Sequence, residues 1–118
     1  MPGSIRVVDT ATLITADRNI AVTGGGAHLG ANFYVDVTAI TRTTGTLTVT
    51  IRWNTASGVD VDIATVTGLT ATGITRLTPT SGVFDVSARA IPEPTEVLWD
   101  LVGDTTSVSG QIIAMYGN

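Results

Sequence analysis

A chain of 118 residues with no cysteine and a formal net charge of −4 is the size of one domain and carries no disulfide framework. It is long enough to bury a core without a metal or disulfide staple. Its six cations are all arginine, scattered at Arg6, Arg18, Arg42, Arg52, Arg76 and Arg89; the chain thus lacks the clustered positive charge that neutralises phosphates, which argues against nucleic acid or an anionic membrane surface as a partner.

Residues 5–15 hold two apolar clusters, Ile5-Val7-Val8 and Leu13-Ile14, around the turn-prone Asp9-Thr10, and predict two short strands or one bent strand. Residues 19–23 are a further short strand, ended by the glycines of Gly24-Gly25-Gly26-Ala27-His28-Leu29-Gly30. Residues 32–41 alternate Phe33, Val35, Val37 and Ala39 against Tyr34, Asp36, Thr38 and Ile40. The four residues 42–45 are short enough to return this strand into the next as a hairpin.

That next strand, residues 45–53, has the clearest pattern in the chain. Leu47, Val49, Ile51 and Trp53 fall on one face, and Thr46, Thr48, Thr50 and Arg52 on the other. Strict period-2 alternation suits a half-buried antiparallel strand, with β-branched threonine on the pleated, solvated face. After a turn at 54–58, residues 59–67 place Val59, Val61 and Ile63 together, with Asp60 and Asp62 opposite. Residues 70–77 and 83–88 are weaker strands separated by a Pro79-Thr80-Ser81-Gly82 turn. Ile91-Pro92-Glu93-Pro94 reads as a connection, because proline suits neither a helix interior nor a central strand. Residues 96–102 and 108–116 form a closing pair through residues 103–107. Both are apolar on more than one face, as central or interface strands are.

No segment repeats apolar residues at helical spacing, and turn signals recur at the spacing of a sandwich. The expected fold is all-β: an antiparallel, jelly-roll-like β-sandwich of about eight to nine strands. Residues 5–118 form the single domain and residues 1–4 a candidate flexible arm. The expected core includes Leu47, Val49, Ile51 and Trp53 from one strand and Val97, Trp99 and Leu101 from another. On that reading, truncating Trp53 to Ala costs about 3–5 kcal/mol.

Residue types that carry chemistry are sparse. The triple glycine lacks the lysine and helix of a phosphate loop, and Leu29 stands where a dinucleotide motif needs glycine. His28, the one histidine, reads as a solvated loop residue, without the soft ligands a zinc site needs. Asp60 and Asp62 are the weak calcium candidate; residues two apart on a strand lie about 6.6 Å from each other, also a glycosidase-like separation, although solubilising carboxylates look the same. Glu93 and Glu96 read as solvated loop residues. Both tryptophans share parity with core residues, which disfavours an aromatic platform for sugars. No catalytic residue, cofactor or enzymatic activity is expected, and no run of about 18 apolar residues is available to span a membrane. The first four residues do not look like a signal peptide.

Four stretches in order carry a resemblance: Phe33-Tyr34-Val35-Asp36-Val37-Thr38-Ala39, then residues 45–53, then Val66-Thr67-Gly68-Leu69-Thr70-Ala71-Thr72-Gly73, then the Trp99 strand with Ser107-Val108-Ser109-Gly110. Over most of its length the chain resembles the small threonine-rich β-sandwich structural proteins of tailed bacteriophages that decorate or cement the outer capsid. The match lies in overall pattern, a style that fibre-associated and other virion proteins share. Similar proteins often alternate arginine with valine in the penultimate strand, whereas Asp100 stands in that strand here.

The resemblance implies a sandwich, often trimeric, that clamps the major capsid protein on the outer surface of the virion and is found in the host cytoplasm during assembly. It transfers no catalytic residue. A charged fraction of 14% with a mean hydropathy of +0.36 independently suggests apolar surface covered by partner subunits. The interface candidates are Ile5, Val7, Leu98, Val102, Ile113 and Arg52, with the N-terminal arm able to add a strand to a partner. The competing expectation is a fibre-associated or carbohydrate- or receptor-binding module.

Overall fold

The computed structural model describes residues 4–80 and 91–117. The expected strand at 83–88 and the first three residues of the expected arm lie outside them. Eleven strands follow in order: β1 (Ser4–Ile14), β2 (Arg18–Ala21), β3 (Ala27–His28), β4 (Ala31–Thr41), β5 (Thr46–Asn54), β6 (Asp60–Leu69), β7 (Gly73–Arg76), β8 (Thr78–Pro79), β9 (Ile91–Pro92), β10 (Glu96–Val102) and β11 (Ser107–Tyr116). Three of these, β3, β8 and β9, are two-residue pairings.

One sheet, A, has the order β1-β11-β4-β7, and the other, B, the order β2-β10-β5-β6-β8. With the two-residue strands set aside, eight long strands counted along the chain read 1-8-3-6 in one sheet and 2-7-4-5 in the other. That is the order of a jelly roll, and every pairing is antiparallel.

The apolar parity seen in the sequence explains the layering. Phe33, Val35 and Val37 of β4 and Val108, Ile112 and Ala114 of β11 point inward from sheet A. Leu47, Val49 and Ile51 of β5 with Val97 and Trp99 of β10 point inward from sheet B, and together they form one continuous buried core. Two expected core residues, Trp53 and Leu101, pack against this cluster but stay half-buried. Across the outer face of sheet B the threonines make their own contacts. Thr50 and Thr65, paired across β5 and β6, hydrogen-bond through their hydroxyls at 3.0 Å.

The hairpin expected at 42–45 and the closing pair expected through 103–107 both join strands of different sheets, β4 to β5 and β10 to β11. Residues 42–45 and 103–106 are arches over the edge of the core. Two consecutive strands that each carry a full apolar face can satisfy both faces by meeting across a core, and a sequence pattern does not distinguish that from pairing edge to edge. The expected 54–58 turn does close a hairpin, β5 to β6, with the Gly58 N–H donating to the Thr55 carbonyl at 3.0 Å. The first apolar clusters belong to one bent strand: β1 pairs with β11 throughout, with irregularities between Val7 and Asp9 and between Ala11 and Ile14. The connection expected at residues 91–94 begins as β9, which pairs with β3 inside the glycine loop.

The two arches lie side by side and bind each other. The Asp104 carboxylate accepts the backbone N–H groups of Thr43 at 3.1 Å, Thr44 at 2.9 Å and Gly45, and the Thr44 hydroxyl at 3.2 Å. Successive N–H groups converging on one anion form a nest. The Thr106 N–H donates to the Thr41 carbonyl at 2.9 Å, and the Thr105 hydroxyl to the Thr46 carbonyl at 2.9 Å. Gly45 has no room for a side chain, because a Cβ there would sit 2.3 Å from the Val102 carbonyl oxygen. The N–H groups of Thr44 and Gly45 hold the Asp104 carboxyl down at about 2. A carboxylate depressed in the folded state adds stability that is complete above its unfolded value of about 3.9 and is lost as pH falls toward the folded one. Asp104→Ala is therefore expected to lower the melting temperature by several degrees at neutral pH. It should also flatten the acid limb between about pH 4 and pH 2, measured by circular dichroism melts across that range.

Candidate functional site

The described residues hold three charge clusters and two contrasting sheet surfaces. The most buried cluster surrounds Asp9. The irregularity after Val7 turns this side chain inward, where it accepts the Trp99 indole N–H at 2.8 Å and two bonds from the Arg18 guanidinium at 2.8 and 3.0 Å. Burial pushes the Asp9 carboxyl up, but the bonds from Arg18 and Trp99 outweigh it and hold the group below its ordinary value. Trp99, fully buried, thereby gains the partner its N–H needs in the core. Sequence reading placed Asp9 in a turn. The available signal was an acid beside an apolar strand in a chain with a core tryptophan.

At one end of the sandwich, Glu93 overturns two expectations. It is only 8% exposed rather than solvated, and its carboxylate accepts from both Arg6, at 3.1 Å to each oxygen, and the His28 ring at 2.7 Å. The expected solvated histidine is itself enclosed, with a ring stacked 4.0 Å from that of Tyr116 and 15° from parallel. The His28 bond foremost, against the opposing effect of burial and aided by the Gly25 N–H and Arg6, holds the Glu93 carboxyl below its usual value. Burial, with the Glu93 charge, pushes the Tyr116 phenol up to about 12. The anion beside the triple glycine is thus the protein's own carboxylate. Gly24 lets the chains approach, since a Cβ there would lie 2.2 Å from the Pro94 carbonyl oxygen.

The third cluster lies on the outer face of sheet B. Arg52 binds Asp62 at 2.8 Å and lies 3.6 Å from Glu96 and 4.0 Å from Asp60. Asn54 donates to Asp60 at 2.7 Å and to Glu96 at 3.1 Å. Asp60 and Asp62 do share a face, but the Arg52 guanidinium stands against both, so a calcium ion there would have to displace it. Among the described residues no group of three or more His, Asp or Glu side chains is placed to hold a metal. Glu96, the first residue of the expected 96–102 strand though also read as a solvated loop carboxylate, opens β10 and belongs to this network.

The six interface candidates divide between opposite sides of the molecule. Leu98, Val102 and Arg52 lie on the outer face of sheet B among threonines and carboxylates, with Leu98 half-buried and Val102 exposed. Ile5, Val7 and Ile113 lie on the outer face of sheet A, which is far more apolar. Ile5 stands opposite Met115, and Val7, Ile113 and Tyr34 form one row ending at Arg76. Ile5 is 69%, Val7 58%, Ile74 67% and Met115 42% exposed. Ile74 joins this surface across Asp36. β1 is also an edge strand of its sheet.

Trp53, half-buried against the core, also lines a surface hollow with residues 24–27, Pro92, Glu93 and Thr95. A register irregularity between Ile51 and Arg52 interrupts the β5–β6 pairing just before it. Comparison with protein-family models, with curated proteins and with solved structures finds no match in any of the three.

The two tryptophans should respond differently to truncation. Trp99→Ala is expected to cost at least about 3–5 kcal/mol, because it empties the core and strips a partner from buried Asp9, whereas Trp53→Ala falls below that range. Urea unfolding of the two variants measures the difference.

Proposed function

We propose that this protein is a virion structural protein, a capsid decoration or cement protein of a tailed bacteriophage that binds the outer surface of the major capsid shell through the outer face of sheet A. The observation that carries this reading is the apolar patch of exposed Ile5, Val7 and Met115 around half-buried Ile113, with exposed Ile74 on the same face opposite Asp36 of the two-sheet scaffold. Exposed contiguous apolar surface of this kind marks protein interaction sites. The adjacent edge of β1 offers backbone groups that a partner strand can pair with. The opposite face, rich in threonine and carboxylates, suits solvent.

The charge clusters fit a structural role. Arg18 is committed to Asp9, Arg6 and His28 to Glu93, and Arg52 to three acids, so these groups are engaged in holding strands together. Self-association as a trimer belongs to the same proposal and would bury part of the apolar strip.

A second reading rests on Trp53. Its half-buried ring in the hollow beside the glycine loop gives a fibre-associated or receptor-binding module an aromatic surface for a sugar ring.

The experiment is binding of purified protein to expanded capsids that lack it. Ile5→Glu combined with Val7→Glu should reduce binding at least about tenfold. Substitutions at such exposed positions change stability by only about 0.5 kcal/mol each, so loss of binding would not reflect unfolding. Unchanged capsid binding in that variant, or loss only with Thr48→Lys on the opposite sheet, overturns the assignment of the face. Glycan binding abolished by Trp53→Ala, without capsid binding, would favour the second reading.

A further inference from the structure

We infer that a hollow on the outer face of sheet A, opened by two strand bulges at one level, is a binding site for a neutral saccharide ring. It starts where the apolar patch ends, since Thr10 and Gln111 are the first outward pair beyond Val7 and Ile113. Its volume is about 330 Å³, at the lower end of the range of about 300–1,000 Å³ found for ligand pockets. That is room for one ring rather than a chain.

The bulges lie on both sides of β11. In β1, Thr12 and Leu13 together stand against Ser109, because Ala11 pairs with Gly110 and Ile14 with Val108. In β4, Thr38 is the extra residue, because Ser109 pairs with Ala39 and Gly110 with Val37. Bulges re-aim side chains and recur beside binding sites. Gly110 is required between them, since a Cβ there would lie 2.5 Å from the Asp36 carbonyl oxygen. Leu13 has a φ of 46°, the one non-glycine residue with positive φ among those described. That conformation strains an L residue, and the Leu13 N–H is held in it by donating to the Ser109 hydroxyl oxygen at 2.8 Å.

The polar side chains lining the hollow are Thr10, Thr12, Thr38, Ser109 and Gln111. Among the described residues, those of Thr10, Thr12, Thr38 and Gln111 bond to no neighbour, and Ser109 keeps its own O–H to donate. On sheet B, by contrast, the Thr50 and Thr65 hydroxyls bond to each other. A threonine hydroxyl donates once and accepts twice, and the Gln111 amide does both. Saccharide hydroxyls have the same dual character. The threonine methyls and Ala11 leave apolar surface between these groups for the C–H face of a ring.

Charge argues against an acidic ligand. No charged side chain lines the hollow, so a carboxylate, sulfate or phosphate would lose hydration without gaining a counter-ion. The bulges argue against an extended peptide. β1 is the edge of its sheet, and an edge interrupted at Thr12 and Leu13 is a poor ladder for strand addition. The site is separate from the hollow beside Trp53, with which it shares no lining residue, and it does not depend on what the apolar patch binds.

Two-dimensional amide NMR of the full chain, titrated with glucose, galactose and N-acetylglucosamine, tests the inference, with glucuronic acid as the acidic control. At least one neutral sugar should shift the amide signals of Thr10, Thr12, Thr38, Ser109 and Gln111, with a Kd on the order of 1–10 mM, as weak as hydrogen bonds without an aromatic platform allow. Glucuronic acid should bind at least about tenfold more weakly. Thr12→Val combined with Thr38→Val keeps the shape and removes two hydroxyls, and should weaken binding at least about tenfold. Gln111→Met alone should weaken it at least about threefold, and the spectrum of each variant shows directly whether it is folded. No shift at these amides at about 100 mM sugar, unchanged affinity in the folded variants, or shifts centred on the Trp53 hollow overturn the inference. So does a double variant that loses capsid binding when no sugar moves these amides, which would assign the hollow to a turn of the shell protein.

Discussion

Two four-residue arches, at residues 42–45 and 103–106, carry the chain from one sheet to the other, and the rest of the sandwich depends on their holding together. Each must turn the backbone over the rim of an apolar core and so leaves peptide groups without a strand partner. The Asp104 carboxylate satisfies three of these N–H groups, and Gly45 lets the neighbouring arch approach to contact distance. Because β4 is thereby placed over β5 and β10 under β11, every strand with an apolar face finds another such face. The jelly-roll strand order follows from repeating that crossing.

The interior is closed in the same economical way. A tryptophan is the largest buried side chain and brings a polar N–H with it. The bend in β1 supplies an aspartate to accept that N–H, and Arg18 at the start of β2 neutralises the aspartate. One local irregularity therefore serves both packing and charge. At the end of the molecule, Glu93 does for the loops what Asp104 does for the arches, gathering donors from segments that share no sheet. Buried carboxylates with several donors are costly to create but hard to break, since removing one donor leaves a desolvated charge.

These internal commitments sharpen the contrast between the two outer surfaces. Sheet B presents hydroxyls, amides and carboxylates that bind one another across strands. Sheet A presents exposed Ile5, Val7, Ile74 and Met115 beside Tyr34, Asp36, Gln111 and Arg76, with β1 at its edge. That difference is the physical basis of the proposal that the outer face of sheet A meets another macromolecule.

The strand content, the antiparallel sandwich and most of the core were legible in residue order, because side chains in a strand alternate with period two and the threonine–aliphatic pattern of β5 leaves no other regular structure available. Leu47, Val49, Ile51, Val97 and Trp99 could be named from parity alone. Parity says which face is apolar and nothing about whether that face meets its neighbour in the same sheet or across a core, so it does not distinguish the arches at 42–45 and 103–106 from a hairpin or an edge-to-edge closing pair. It also fails wherever the register slips: after Val7, which turns Asp9 inward, and after Ile51, just before half-buried Trp53. The partners of Glu93 lie 65 and 87 residues away in the chain, at His28 and Arg6. Neither local propensity nor spacing carries such a contact; only the folded chain, by stacking its ends, decided that a glycine-loop histidine and a proline-flanked glutamate would share a buried site.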